Sequence, residues 1–475
     1  MHRTFTFVTI AILAFLVASK SALAQDDEKP PIHKIVAKPA AEPVPALRYQ
    51  LLPTLLELKP GNAAPLYFKV LVPRNSSRSK DDGKRAQLIS DWMSTPLDQL
   101  PRGEVRNTLS RDSYDLDQVA MAARRDHCDW ELPIRDGRAW EIQLPEAEGA
   151  RVVSRALATR ARLAIAEHRY DDAIRDLQTG FALARHVAEG PTLVNGLVGV
   201  AICSTMLDQL ETLMQTPDAP NMYWALMALP RPMIDLRTAM QFEMQWIAFA
   251  FPQLNDAESP GRNADQWQKI IAEIQETSRG FSGEGKAGWE KRVLYAAAAI
   301  KVYPEAKTYL IAQGKSTEEV DAMPVGQVLA IYTRDKFLRL RDDQYKWSFV
   351  PYSQRAEGLA HAEDALRRAS REPDMFHFDS ILPAINAATT ASLRTDRRIA
   401  ELAILEGLRM HAAEHGGQLP EKLADMTVAP ALADPFTGQS FMYRREGNTA
   451  TLDAPQLRDA NPNYGARHYE LTILP

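Results

Sequence analysis

Arg151 to Arg237 is the longest stretch of the chain in which apolar residues recur at helical spacing, and it commits the molecule to a mainly helical fold. Val152 to Ala166 reads as one helix, Glu167-His168-Arg169 as a polar break, and Tyr170-Asp171-Asp172-Ala173 as the start of a second. In that second helix Ala173, Leu177, Gly180, Phe181 and Ala184 fall on one stripe of a 3.6-residue period, which must be buried against a neighbour. Small residues at Ala161, Ala164, Ala173 and Gly180 let the two backbones of this hairpin approach closely. Gly190-Pro191 ends it, and Thr192 is placed to cap a third helix running to about Gln215. Leu193 to Leu207 is its most apolar part, but Asn195, Ser204 and Thr205 interrupt a run already shorter than the roughly 20 residues of a bilayer span. A buried core helix is expected. Asn221 caps a short helix over Met222 to Ala228, and Pro230 stops it.

The hairpin resembles one tetratricopeptide unit over Ser154 to Ala188, with Tyr170, Ala173 and Ile174 at that repeat's tyrosine, alanine and aliphatic positions. No second copy follows at a period of about 34 residues, and a solenoid needs roughly three units to bury a continuous core. The expected fold is therefore mainly α: an irregular helical domain containing one tetratricopeptide-like hairpin, with a small C-terminal α+β module.

The N-terminus sets the compartment. Arg3 precedes the apolar run Phe5 to Ala18, and Ala22-Leu23-Ala24 offers a signal peptidase its small residues, so cleavage is expected after Ala24 and export follows. No cysteine stands at the cleavage point to take a lipid. Loss of Arg3 and Lys20 with the leader takes the formal charge from -5 to -7. An acidic exported protein gains nothing from counterion release on a polyanion, so nucleic acid is not an expected partner. Cys128 and Cys203 are the only cysteines, and an oxidising compartment permits a disulfide between them if the fold brings them together.

In chain order, residues 25–46, rich in proline, lysine and acids, read as a disordered tether. Residues 47–150 read as a mixed segment packed on the helical domain, opening with a strand at Leu47 to Leu51, where apolar residues alternate with Arg48 and Gln50, and a helix over Ala63 to Val70 capped by Asn62. Asn75 to Lys84 reads as an exposed loop. The helical domain is expected over 151–375, with a capping box at Ser316 and Glu319. Residues 376–475 form the last module: a helix from Pro383 to about His415 ended by Gly416-Gly417, turn chemistry at Asp434-Pro435-Phe436-Thr437-Gly438, a hairpin about Gly447-Asn448, and a final strand at Tyr469 to Ile473. That last strand and the one at Leu47 to Leu51 are expected to share a sheet, because neither has an adequate local partner.

Two family resemblances follow. Pro220-Asn221-Met222-Tyr223-Trp224-Ala225-Leu226 with Leu229-Pro230-Arg231-Pro232, the stretch Leu177-Gln178-Thr179-Gly180-Phe181, and Asp434 to Gly438 together resemble a family of exported planctomycete proteins without an assigned activity. The last eighty or so residues resemble the soluble part of type II secretion pseudopilins, through Leu419-Pro420 and Asp434-Pro435. The long helix here is internal and carries Arg394, Asp396, Arg397 and Arg398, so pilus assembly through it is not expected.

Chemistry is sparse. The sequence has no Gly-rich phosphate loop, no Gly-x-Ser-x-Gly elbow and no Cys-x-x-Cys pair, and no cofactor is implied. His411-Ala412-Ala413-Glu414-His415 matches the His-x-x-Glu-His pattern of inverted zinc peptidases, in which His411 and His415 would hold zinc and Glu414 would activate water. A third ligand would have to come from Glu421, Glu446 or Glu470. Helix-dipole stabilisation of last-turn imidazoles explains the same histidines without metal. Tyr223, Trp224, Arg231 and Arg237 could line a groove for an anionic or carbohydrate ligand, or pack as an ordinary aromatic helix. Cys128-Asp129-Trp130 offers a pocket or a packing cluster. Asp434, Asp453 and Asp459 are oxygen ligands for calcium only if the fold overrides a spacing unlike that of a twelve-residue calcium loop. The reading that remains is a binding or scaffolding component of the cell envelope whose partner is another envelope protein, with no transmembrane helix in the mature chain. An envelope hydrolase and a secretion-associated protein with a pseudopilin-like end are its rivals.

Overall fold

The chain reverses at the Glu167-His168-Arg169 break. There Ala166 ends helix α1 (Pro145–Ala166), His168 takes a left-handed conformation with φ +56, and Tyr170 begins α2 (Tyr170–Ala188). The computed structural model describes residues 32–72, 80–134, 142–281, 289–372, 383–455 and 467–475, so the leader and its cleavage point after Ala24 lie outside the described residues. Helix α3 (Leu193–Met214) follows, and the Thr192 side chain accepts from the Asn195 amide at its start as its position predicts.

Small residues set the spacing of these three helices. A Cβ on Gly180 would stand 2.1 Å from Met206 Sδ, and one on Gly199 would stand 2.6 Å from the Ala184 carbonyl, so α2 and α3 pack closer than any larger residue permits. The stripe Ala173, Leu177, Phe181 and Ala184 is fully buried. Burying a Phe181-sized side chain contributes about 2–3 kcal/mol. Helix α3 is long and apolar enough to cross a membrane by length and composition alone, yet 61% of that window is buried here, with Asn195, Cys203 and Leu210 fully enclosed.

The chain divides into two compact units. One contains Met240–Ala387 and is helical. Its Ser316 and Glu319 form the expected capping box, and Trp267, Val320, Val328 and Ala306 are buried in its core. The other gathers the described parts of Gln25–Glu131, Leu144–Ala239 and Ala388–Pro475, so the stretch expected as one helical domain over 151–375 is shared out between the two.

Within the second unit a four-stranded sheet runs in the order β1, β6, β5, β4, from β1 (Ile32–Ala37), β4 (Met442–Glu446), β5 (Thr449–Asp453) and β6 (His468–Ile473). The β4–β5 hairpin turns on Gly447, whose φ of +64 suits glycine. Ile35 and Ala37, Ala450 and Leu452, and Tyr469, Leu471 and Ile473 form the buried face at a period of two. Two expectations are corrected here. The sheet partner of β6 is β1, which pairs with it in parallel from Ile32↔His468 to Ala37↔Ile473; Leu47 to Leu51 is not a strand. Part of the expected tether is therefore structure. Residues 38–42 are also held, by Arg409 Nε to the Lys38 carbonyl at 3.0 Å, Ala40 N to the Arg409 carbonyl at 3.1 Å, and Trp224 Nε1 to Glu42 at 2.6 Å.

Among the described residues four shorter helices precede the hairpin: Ala64–Leu71, Lys80–Trp92, Arg102–Ser110 and Ser113–Ala122. The second begins inside the expected loop at 75–84. The N-cap of the first is Ala63 rather than Asn62, one residue later than expected; Asn62 Oδ1 accepts from Ala64 N at 3.0 Å just ahead of the helix and from Asp129 N at 2.9 Å. A two-stranded parallel sheet of β2 (Lys59–Asn62) and β3 (Arg125–His127) joins this region to itself. Helix α4 (Pro383–Glu414) ends at Gly416-Gly417 with φ +62 and +87, and Gly417 N bonds the Ala412 carbonyl at 2.7 Å in a Schellman closure.

Candidate functional site

Helices Arg102–Ser110 and Ser113–Ala122 lie on α1 and α2, and a cleft of about 460 Å³ opens among the four. Leu109, Ala120, Leu163 and Ala164 give it apolar lining, and its charged lining is Arg106, Arg124, Arg160, Arg169 and Arg175 against Asp117, Asp172 and Asp176. Five guanidinium groups thus face three carboxylates. Helical spacing builds the wall: Asp172, Asp176 and Thr179 stand at i, i+4 and i+7 of α2, and Arg160, Leu163 and Ala164 on one face of α1.

The pairings inside the cleft differ in kind. Arg160 holds Asp176 through Nε at 3.0 and 2.9 Å and Nη2 at 2.6 Å. Burial pushes the Asp176 carboxyl up from its ordinary range while Arg160 opposes the shift. Glu167, just outside the lining, takes both Arg169, at 2.9 and 2.6 Å, and Arg106. Burial works against its charge, but Arg169 and Arg106 hold its carboxyl below the usual range. Asp172 bridges Arg169 and Arg175, the latter at 3.2 Å. Arg124 donates to the Ala120 carbonyl at 2.9 Å and to Gln178 at 3.2 Å.

Each guanidinium has five N–H donors, so donors are left over. Arg106 and Arg175 keep 62% and 63% of their side chains exposed. A fork of donors above an apolar floor recognises carboxylate or phosphate oxygens, the first with two parallel bonds per arginine. The lining contains no histidine, cysteine or lysine; of its hydroxyls, Ser110 Oγ donates to the Asn107 carbonyl at 2.9 Å and Thr179 Oγ1 to the Arg175 carbonyl at 2.9 Å.

The residues singled out in the sequence go elsewhere. His411 and His415 stack with ring centroids 3.9 Å apart, His415 Nδ1 lies 2.8 Å from the His411 carbonyl, and Glu414 is exposed. Glu421 pairs with Arg445 at 2.9 Å, Glu470 with Lys34 at 3.9 Å, and Glu446 is an exposed residue of β4. No group of three potential metal ligands is found among the described residues. Tyr223 is buried and donates to the Pro430 carbonyl at 2.8 Å, Trp224 meets it edge-on at 4.9 Å, and Arg237 is spent on Asp235 at 2.5 Å. Arg231 touches Met227 Sδ at 3.6 Å. Tyr223 and Trp224 thus pack against one another, and Arg237 is committed to a local ion pair.

Cys128 and Cys203 are free and buried, which corrects the disulfide: Cys128 N is bound to the Glu189 carboxylate at 2.7 Å, and Cys203 is enclosed in the middle of α3. Trp130 stacks on Tyr67 at 5.7 Å and donates to the His186 carbonyl at 2.8 Å, so the Cys128-Asp129-Trp130 cluster is packing. Asp434 cannot serve calcium, because Arg397 takes both its oxygens at 2.7 and 2.9 Å and Thr437 N and Oγ1 fill Oδ2 at 3.0 and 2.9 Å. Asp453 pairs with His468 at 2.6 Å, and Asp459 lies outside the described residues.

Sequence reasoning missed the cleft because its arginines come from three separate segments and match no motif. The one legible signal was Arg160, Arg169 and Arg175 with Asp172 and Asp176 around the hairpin turn. Family models, curated proteins and solved structures offer no match to this chain.

Proposed function

We propose that this is an exported binding or scaffolding component of the cell envelope, and that it holds an acidic segment of another envelope protein in the arginine-lined cleft. The observation that carries the reading is the excess of five guanidinium groups over four carboxylates, Glu167 at the rim included, in an open cleft with an apolar floor. Export rests on Arg3, the Phe5 to Ala18 run and Ala22-Leu23-Ala24. An acidic partner suits the molecule because the site inverts the sign of the whole chain, whose formal charge is -5. Complementary fields favour encounter and orient it.

The test is fluorescence anisotropy of labelled hexaglutamate and hexalysine with the mature chain. Hexaglutamate should bind, and about 0.2 M salt should weaken it several-fold, as screening requires. Equal binding of both peptides, or of neither, would remove the reading.

A further inference from the structure

The three acids of the cleft are held in different ways. Asp176 is buried and pinned by three bonds from Arg160. Asp117 is exposed on the opposite wall. Asp172 is half-buried, and its two oxygens go to two arginines: Oδ2 to Arg169, and Oδ1 to Arg175 at 3.2 Å. It stands in the first turn of α2, where the helix dipole favours an anion. A carboxylate shared between two guanidinium groups of a cationic cleft has the geometry that a carboxylate of a bound peptide would need there.

We infer that Asp172 is a built-in competitor, occupying the place that a partner's carboxylate takes when the cleft binds. The inference rests on the proposed acidic-segment reading and adds the residue that limits its affinity. Exchange is feasible because both arms of the bridge face solvent: Asp172 keeps 43% of its side chain exposed, and Arg175 keeps 63%. Ion pairs exposed to this degree contribute little to stability and give way to a better-placed partner. Arg169 is steadied meanwhile by its second partner, Glu167, at 2.6 Å, so the guanidinium plane stays in position when Asp172 leaves. Among the described residues Arg175 has no second carboxylate within ion-pair distance, and it turns to the ligand.

Asp172→Asn removes one of four opposing charges, Glu167 included, raising the arginine surplus from one to two and releasing donors on Arg169 and Arg175. One charge-assisted bond gained corresponds to about tenfold in affinity. Arg175→Gln removes the cation most available to the ligand and should weaken binding by about tenfold.

The experiment measures anisotropy of labelled hexaglutamate on the mature full chain for wild type, Asp172→Asn, Arg175→Gln and, as a control, Asp235→Asn, which frees Arg237 outside the cleft. Tighter binding by Asp172→Asn, weaker binding by Arg175→Gln and no change for the control would support the inference. Unchanged or weaker binding by Asp172→Asn, with Arg175→Gln weakened, would overturn the competitor while leaving the cleft as the site. Absence of hexaglutamate binding to every form would remove the cleft reading itself. Pyrophosphate that binds as Asp172→Asn predicts, where hexaglutamate does not, would replace the acidic segment by a small anion and overturn the peptide. Thermal melts accompany each variant, and Asp172→Ser takes the place of Asp172→Asn should the latter fail to fold.

Discussion

Two regions of the second unit are rich in arginine, and they use it in opposite ways. Along α4, Arg397 and Arg409 are 2% and 1% exposed, and each faces a buried carboxylate: Asp434 for the first, Glu406 at 2.8 Å for the second. Arg398 is shared by Asp208 at 2.6 Å and Glu211 at 3.1 Å. In the cleft the arginines outnumber the acids and several lie open to water. A desolvated charge without a partner costs several kcal/mol, so each of these three guanidinium groups along α4 is met by at least one carboxylate, whereas a solvated surface tolerates a surplus. The surplus is what binding needs; the pairing is what the fold needs.

Glu401 sits fully buried near Arg397, Arg398 and Arg467, with Oε1 unpartnered. Burial, eased by Arg467, Arg397 and Arg398, pushes the Glu401 carboxyl up to about 8.

The sharpest test of the comparison is Arg397→Ala. It strands Asp434 in the interior and should cost about 3–5 kcal/mol in urea unfolding. A loss below about 1 kcal/mol would place this pair with the surface pairs of the cleft. Next comes Glu401. Its folded pKa lies above the unfolded value of 4.5, so its contribution to stability is complete below pH 4.5 and is lost as pH rises toward about 8. Glu401→Gln should abolish that decline and stabilise the protein at pH 8 by about 2–4 kcal/mol. A parallel decline in wild type and variant would contradict it.

His186 gives a smaller effect of opposite sign. Burial, helped by Arg185, holds its imidazole down at about 4, and Tyr67 Oη lies 3.0 Å from Nδ1. Stability present above the unfolded pKa of 6.5 should fall as pH drops through about 4, by about 2–3 kcal/mol, and His186→Gln should blunt that fall. Smallest is Arg175→Gln in the cleft, which should change stability by no more than about 0.5 kcal/mol while weakening acidic-peptide binding.

The same contrast explains what the sequence shows and what it hides. Helices α1 to α3, the Thr192 cap, the Gly416-Gly417 stop and the Gly447 turn are local events, each written within about one helical turn of sequence. Strand β1 is hidden because its partner β6 is parallel and lies at the other end of the chain, so Lys34-Ile35-Val36-Ala37 shows only a short apolar patch among prolines and lysines. Strand β2 contains Pro60 and Gly61, which read as a break. Asp434 was legible as a turn residue, but its partner Arg397 stands 37 positions earlier, and without that partner the carboxylate looks available to a metal. The cleft is hidden for the reason β1 is: its charges converge only after four helices pack.

The central claim, that buried arginines hold the fold and cleft arginines hold a ligand, is tested most directly by measuring both properties on two variants. Arg106→Gln with Arg175→Gln removes the two most exposed cleft cations, and Arg397→Ala removes a buried one. The account predicts that the double cleft variant melts within about 0.5 kcal/mol of wild type and loses hexaglutamate binding, while Arg397→Ala is strongly destabilised and, at a temperature where it remains folded, still binds. A double cleft variant that binds hexaglutamate as wild type does, or that loses as much stability as Arg397→Ala, would contradict it.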